Sequence, residues 1–165
     1  MRILLAGPGT GKTTNIKRII DEEFSNATRI LVLSFTNFTV NDLRDKFADR
    51  EKYSNVECLT LHKLAMKLNH LTNYHILADE EETILRYMAT KYEMEVRDLF
   101  DLLKCITFSE MIASCLAFIK ANPDYVKDKF EAADLLLVDE FQDFDPNEQE
   151  LVHELVKLCG ETIIL

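Results

Sequence analysis

The sequence has no apolar run long enough to cross a membrane, and its first residues do not form a signal peptide. The first apolar run, Ile3 to Ala6, has only four residues and leads into a glycine-rich segment rather than a cleavage site. The four cysteines lie far apart, and none forms a Cys-x-x-Cys pair or has a histidine at metal-binding spacing. We therefore predict reduced, buried thiols in a cytoplasmic protein that has no membrane partner.

Positive charge is also scarce, since 19 Lys and Arg residues face 29 Asp and Glu residues, for a formal net charge of −10. This balance argues against broad electrostatic binding to nucleic acid or to acidic membranes, although a local basic strip remains compatible with it. Neither an internal repeat nor a low-complexity tract is visible. The 165 residues, 47% of them hydrophobic, predict one globular domain, with room for an insertion.

Apolar strand-like segments alternate with helical patterns along the chain. The predicted strands are Ile3–Ala6, Arg29–Phe35, Val56–Leu61, Leu135–Asp139 and 162–165. The predicted helices are Lys12–Phe24, Asn37–Phe47, one from His62, Asp79–Tyr92, Ser109–Ala121 and one after Asp145. The last of these has Asp145 as N-cap, Pro146 at the first position, Glu148 as capping-box partner and Gly160 as its stop signal. This alternation predicts an α/β fold with a parallel sheet and helices on both faces.

One interval breaks the alternation. Roughly seventy residues separate the third strand from the fourth, whereas a simple crossover needs only about a dozen. We expect the interval to be helical throughout. The predicted organisation is a core of residues 1–68 and 127–165 with an inserted helical subdomain at 69–126.

The segment Ala6–Thr14, "AGPGTGKTT", lies between the first strand and its helix and fits the phosphate-binding loop pattern. Glycines let the backbone close around phosphates, so that N–H groups at a helix N-terminus point inward. Lys12 adds a positive charge, and the Thr13 hydroxyl is placed to bind Mg²⁺. The predicted nucleotide-binding residues are Gly7, Pro8, Gly9, Thr10, Gly11, Lys12, Thr13 and Thr14.

The segment Leu135–Asp145, "LLLVDEFQDFD", ends a buried strand in a group of polar residues. Beside a phosphate loop, Asp139 is predicted to complete the Mg²⁺ shell and Glu140 to orient and deprotonate water. Gln142 is predicted to reach the γ-phosphate or the attacking water. The simpler alternative is a solvated acidic turn. Polar residues also follow the second and third strands, and ligands of parallel sheets bind at the carboxyl ends of the strands.

The chain resembles the N-terminal part of UvrD/Rep-like superfamily 1 helicases. The segments "AGPGTGKT", "SFTNFTVNDLRDKF", "TLHKLAMKL" and "LLLVDEFQD" are similar to four motifs of that family and occur in the family's order. The resemblance implies a P-loop NTPase of RecA-like fold, in which the helical interval corresponds to the inserted subdomain 1B.

The resemblance also implies contacts with single-stranded DNA. Phe35, Thr36 and Asn37 would touch the strand, with Phe35 near a stacked base, and Thr60 and His62 would lie on the same side. Simpler roles stay open: Phe35 as plain core, His62 as a helix-start or core histidine, and Thr36 with Asn37 as a capping pair.

In the family, a second RecA-like domain with arginine fingers follows this part of the chain. We therefore expect residues 1–165 to be a fragment of an ATP-dependent DNA helicase that uses Mg²⁺ with ATP and is nearly inactive alone. A nucleotide-binding module without motor activity is the main alternative. A P-loop kinase is a further one, against which Gln142 and the Phe35-Thr36-Asn37 pattern argue.

Overall fold

The computed structural model describes residues 2–4, 11–49, 51–71, 73–130 and 133–165. The side chains of Lys12, Thr13, Lys129 and Phe130 are outside the description. Within it, the strands are β1 (Arg2–Ile3), β2 (Ile30–Ser34), β3 (Val56–Thr60), β4 (His75–Ile76), β5 (Cys105–Ile106), β6 (Leu135–Val138) and β7 (Glu161–Ile164). The helices are α1 (Lys12–Glu23), α2 (Asn37–Lys46), α3 (Leu61–Leu68), α4 (Asp79–Lys91), α5 (Val96–Leu103), α6 (Phe108–Ala121), α7 (Pro123–Phe130) and α8 (Pro146–Val156), and a short 3-10 helix (Phe141–Asp143) follows β6.

The core of the molecule is a five-stranded sheet in the order β1-β7-β6-β2-β3. Its described strand pairs are all parallel, and the register aligns Ile3 with Ile164, Ile164 with Val138, and Val138 with Leu33. The predicted α/β class is thus confirmed. The first predicted strand is observed only as Arg2–Ile3, and the rest of that prediction falls largely on residues outside the description.

Both faces of the sheet are covered, which explains why its central strands are apolar at successive positions. Leu33, Leu136 and Val138 face a cluster built with α3, α6 and α8. The intervening residues Val32 and Leu137 face a second cluster built with α1 and α2. Strands buried on both faces are typical of parallel sheets between helical layers. None of the helices in the described ranges is long and apolar enough to cross a bilayer.

The interval between β3 and β6 is not helical throughout, so that prediction was wrong. β4 and β5 form a second, two-stranded parallel sheet, with His75 opposite Cys105 and Ile76 opposite Ile106. A separate small cluster of Leu77, Phe100 and Cys105 packs between this sheet and α4–α5. Helix α6 instead packs in the large cluster with the main sheet.

Most predicted helix ends agree with the observed ends to within one residue, and the predicted capping box of α8 is confirmed. Asp145 Oδ1 accepts from the Glu148 N–H at 2.9 Å, and Glu148 Oε2 accepts from the Asp145 N–H at 2.8 Å. Gly160, however, does not end this helix, because α8 stops at Val156. A Cβ at Gly160 would lie 2.9 Å from the carbonyl oxygen of Asp134, so a close backbone approach explains the glycine.

Candidate functional site

Strands β1 and β6, which precede the predicted phosphate loop and the acidic segment in sequence, end at the same edge of the sheet. The Leu4 N–H bonds the Ile164 carbonyl at 2.8 Å, and the Asp139 N–H bonds the Leu33 carbonyl at 2.8 Å. Strands β1 and β6 are separated only by β7, which corresponds to two strand spacings, roughly 10 Å. The chain therefore leaves β1 and β6 at the same edge, where parallel sheets bind ligands.

Gly11 is the N-cap of α1 and adopts a left-handed conformation, with φ 75° and ψ 32°. A side chain at this φ would be strained, although the nearest atom to an added Cβ is 3.9 Å away. Lys12 and Thr13 form the first turn of α1, where unpaired backbone N–H groups and the helix dipole favour an anion. Gly7, Pro8, Gly9 and Thr10 lie outside the described residues, and Thr14 is exposed on the first turn.

The acidic segment begins with Asp139, which follows β6 and is 2% exposed. Glu140 adopts a left-handed conformation with φ 56°, which is uncommon for a residue with a side chain. Gln142 donates from Nε2 to the Glu140 carboxylate. The structure thus brings the side chains of Glu140 and Gln142 together in the segment that follows Asp139.

The oxygen atoms at this edge suit Mg²⁺ better than a softer metal. Ser34 ends β2 opposite Asp139, and its buried Oγ has no hydrogen-bond partner among the residues that the structure describes. Buried unpaired hydroxyls call for a ligand, an ion or water. The described residues contain no group of three or more His, Cys, Asp or Glu able to hold a metal ion. Mg²⁺ is usually held by one or two side chains together with phosphate oxygens and water.

An open groove of about 330 Å³ lies on the same side of the molecule. It is lined by Phe35, Thr36, Asn37, Thr60, His62 and Phe108. The structure therefore brings all five residues of the predicted DNA contact set to one groove. Phe35 is 38% exposed, so it is not a plain core residue.

Two threonines of the groove also begin helices. Thr36 is the N-cap of α2 and accepts from the Thr39 N–H at 3.1 Å. Thr60 is the N-cap of α3 and accepts from the Lys63 N–H at 3.2 Å. The capping role considered for Thr36 is thus observed, and both threonines face the groove as well.

The groove and the acidic segment are joined by aromatic contacts. Phe144, directly after the 3-10 helix, lies edge-on to Phe35 with 5.8 Å between ring centroids. Phe141 lies edge-on to Phe144 at 6.2 Å. A displacement of the Glu140–Asp143 segment would therefore reach Phe35 through a single buried ring, that of Phe144.

His62 lies between the groove and α8. Its Nε2 is 3.1 Å from Glu148 Oε1, and its ring is edge-on to Phe108 with 4.9 Å between centroids. Burial lowers the pKa of His62, and the negative charge of Asp145 partly opposes this shift. Burial also raises the pKa of Glu148, which is only 4% exposed.

Sequence reasoning missed two residues of this site. Phe108 lies 46 positions after His62 and belongs to none of the recognised motifs. The one sequence signal for it is its position at the start of α6, directly after the Thr107 cap. Glu148 was predicted only as a capping partner, a role that it does fulfil. Its contact with His62 joins two helices distant in sequence, and no local pattern predicts it.

A search of curated proteins found no match to this chain. A family model described as an AAA domain matches residues 1–165. The match agrees with the parallel five-stranded sheet, the left-handed glycine before α1 and the acidic end of β6. The chain therefore belongs to the AAA domain family and is a P-loop module that binds ATP.

Proposed function

We propose that this chain is the first RecA-like domain of an ATP-dependent DNA helicase or translocase of the UvrD/Rep type. The observation that carries the proposal is the groove. Five residues from two separate motifs line it together, because the adjacent parallel strands β2 and β3 end side by side. The groove also contacts the acidic segment through Phe144. Such a contact is needed in a protein that couples ATP hydrolysis to movement on single-stranded DNA.

In this proposal the phosphate loop holds the nucleotide, with Lys12 on the phosphates and Thr13 as a Mg²⁺ ligand. Asp139 would complete the metal site, and bound Mg²⁺ would neutralise charge on the phosphates. Glu140 would accept the proton of the attacking water, and Gln142 would hold that water or the γ-phosphate. The observed bond from Gln142 to Glu140 supports their acting together.

The division into a core of residues 1–68 and 127–165 and an insertion of 69–126 is part of the same proposal. The separate cluster around Phe100 supports an independent unit built from α4, α5 and the β4–β5 sheet. The packing of α6 against the main sheet favours a narrower insertion, which ends before Phe108.

The nucleotide site is tested by calorimetry of Mg-ATP binding. Lys12→Ala should weaken binding tenfold or more, about 1.4 kcal/mol, because a charge on the phosphates is lost. Arg18→Ala is the matched control, since Arg18 is an exposed cation further along α1. Equal affinities of Lys12→Ala and the unchanged chain would contradict the assignment.

The chemical step is tested by Glu140→Gln, which keeps the shape of the side chain and removes the base. We expect Mg-ATP binding to persist while hydrolysis by the active protein falls at least about 100-fold. Normal turnover would show that another group accepts the proton.

A nucleotide-binding module without motor activity is the second candidate. It is favoured by the composition of the groove, whose six described lining residues include neither Lys nor Arg. Fluorescence anisotropy with a labelled oligo(dT) separates the two candidates. A motor domain should bind the oligonucleotide, with the roughly millimolar affinity that stacking supports, and lose that affinity on Phe35→Ala, whereas the module should not bind it at all.

A further inference from the structure

The groove presents a physical difficulty for a ligand that carries a phosphate on every nucleotide. Its lining residues offer aromatic rings, hydroxyls and an amide, and the chain as a whole has a net charge of −10. Phosphate contacts dominate the affinity of nucleic-acid binding and normally come from Lys and Arg. Of the groove's lining residues, only His62 is able to become a cation near neutral pH.

His62 is held in a specific way. Its Nε2 faces Glu148 Oε1 at 3.1 Å, and the other carboxylate oxygen of Glu148 accepts from the Asp145 N–H. Glu148 is therefore fixed by the capping box and cannot turn away without breaking the start of α8. With Nε2 committed to Glu148, Nδ1 is the nitrogen of His62 that remains for a ligand.

We propose that Glu148 is a positioning residue that holds His62 as the phosphate-binding cation of the groove, so that binding of single-stranded DNA is linked to the uptake of one proton by this pair. The proposal rests on the DNA-binding function proposed above and adds to it the source of the missing positive charge.

The sign of the linkage follows from the charges around the imidazole. Among the described residues, the ionisable groups that face it are Glu148 on α8 and Asp145 at the N-cap of that helix. Helix α6 presents the apolar ring of Phe108, and the β2–α2 side presents Phe35, Thr36 and Asn37, none of which ionises near neutral pH. In the free protein, burial opposes the charged ring. A phosphate bound at Nδ1 adds a negative charge on the other side, which favours imidazolium. Oligonucleotide affinity should therefore rise as the pH falls, by at most about tenfold per pH unit for one proton.

The test is a pH titration of the histidine ring signals by NMR, in the 165-residue chain with and without oligo(dT). The chain has only four histidines, so the His62 signal can be assigned with His62→Gln. Glu148→Gln removes the carboxylate charge and keeps the capping bond, since Gln serves at this position of a capping box. Glu110→Gln is the matched control, because Glu110 is the capping-box partner at the same position of α6.

We expect Glu148→Gln to lower the pKa of His62, and Glu110→Gln to leave it nearly unchanged. Oligo(dT) should raise the pKa of His62 in the unchanged chain, and less so in Glu148→Gln. If Glu148→Gln leaves the pKa of His62 unchanged, the positioning role of Glu148 is overturned. A pKa that responds to Glu148→Gln but not to bound oligo(dT) would overturn the proton linkage alone. If oligo(dT) shifts no amide signal of the groove, both the linkage and the DNA-binding function are wrong.

Discussion

Four residues other than glycine have a positive φ among those described: His70, Glu93, Lys104 and Glu140. The first three follow or end α3, α4 and α5, where a left-handed residue commonly terminates a helix. Glu140 is different, because it directly follows strand β6. Its conformation carries a cost of roughly 1–2 kcal/mol, and it turns the chain at the point where the carboxylate meets Gln142.

This cost can be measured by replacing Glu140 with asparagine, which tolerates the left-handed region better. We expect Glu140→Asn to raise the free energy of unfolding by about 0.5–1 kcal/mol in urea, while hydrolysis by the active protein is lost. Glu140→Ala is the control, because it removes the same carboxylate and keeps the strain. Equal stabilities of the two variants would show that the conformation is not strained.

Phe108 is 48% exposed and forms the wall of the groove that α6 contributes. Stacking of a base on an aromatic ring is worth about 1–3 kcal/mol, so Phe108→Ala should weaken oligo(dT) binding by roughly fivefold or more. Mg-ATP affinity should not change. Phe38→Ala provides the comparison, since Phe38 is still more exposed but does not line the groove. Similar losses for both variants would indicate a nonspecific apolar effect.

At the scale of elements, the start of β6 is tied to β2 and to β7 by one residue. Asp134 Oδ2 accepts from the Thr28 N–H and hydroxyl, both at 2.6 Å, and from the Arg29 N–H at 3.2 Å. The backbone of Asp134 bonds Arg29 and Glu161. This junction is on the edge of the sheet opposite to the candidate site, so its perturbation separates stability from ligand binding.

The hydrogen bonds from Thr28 and Arg29 lower the pKa of Asp134. A carboxyl whose folded-state pKa is depressed adds stability above its unfolded pKa, and this stability is lost as the pH falls through the folded value. We therefore expect Asp134→Asn to be less stable than the unchanged chain near neutrality, with the difference shrinking in acid. Urea unfolding from about pH 7 to about pH 3 measures this. Asp128→Asn, an exposed substitution on α7, is the control variant.

Gly160 closes the same junction, and its N–H bonds the Ala133 carbonyl at 3.0 Å. Because an added Cβ would meet the Asp134 carbonyl oxygen, Gly160→Ala should shift this connection and cost about 1–3 kcal/mol of unfolding free energy. Ser25→Ala, in an exposed turn, serves as the reference and should change little. An unchanged free energy of unfolding in Gly160→Ala would mean that the backbone at this connection shifts without strain.

The main strands and long helices could be predicted because they carry extended apolar patterns and end in recognisable caps. β4 and β5 could not, since strands of two residues have no periodicity and are formed by pairing across a long stretch of chain. Gly160 was mistaken for a helix stop because a glycine after a helix has two possible causes, and only the approach of Asp134 distinguishes them. Phe108 and Glu148 join the groove through contacts between distant elements, which no local pattern records.

At the scale of the whole molecule, the negative charge opposes nucleic-acid binding, and the residues that line the groove include neither Lys nor Arg to offset it. Stacking on one ring alone supports only millimolar or weaker affinity. An arginine finger is worth roughly 10³–10⁵ in the rate of phosphoryl transfer, and the resemblance implies that it comes from another domain.

We therefore expect residues 1–165, assayed alone, to bind Mg-ATP weakly, to show almost no DNA-stimulated ATPase and to unwind no duplex. Steady-state ATPase with and without a single-stranded oligonucleotide, together with a strand-displacement assay, measures this. Robust stimulated turnover by the monomeric chain would show that the domain supplies its own transition-state charge.

The order of the main sheet has a consequence for how the molecule is made. β7 follows every other described strand in sequence, yet it lies between β1 and β6 and bonds to both. During synthesis, the strand before the phosphate loop emerges first and has no neighbour in the sheet until residues 161–164 arrive. Contacts of such large sequence separation form late and slowly. The nascent chain therefore leaves β1 without its strand partner until the last strand is made, although α1 can already pack against β2 in the second cluster.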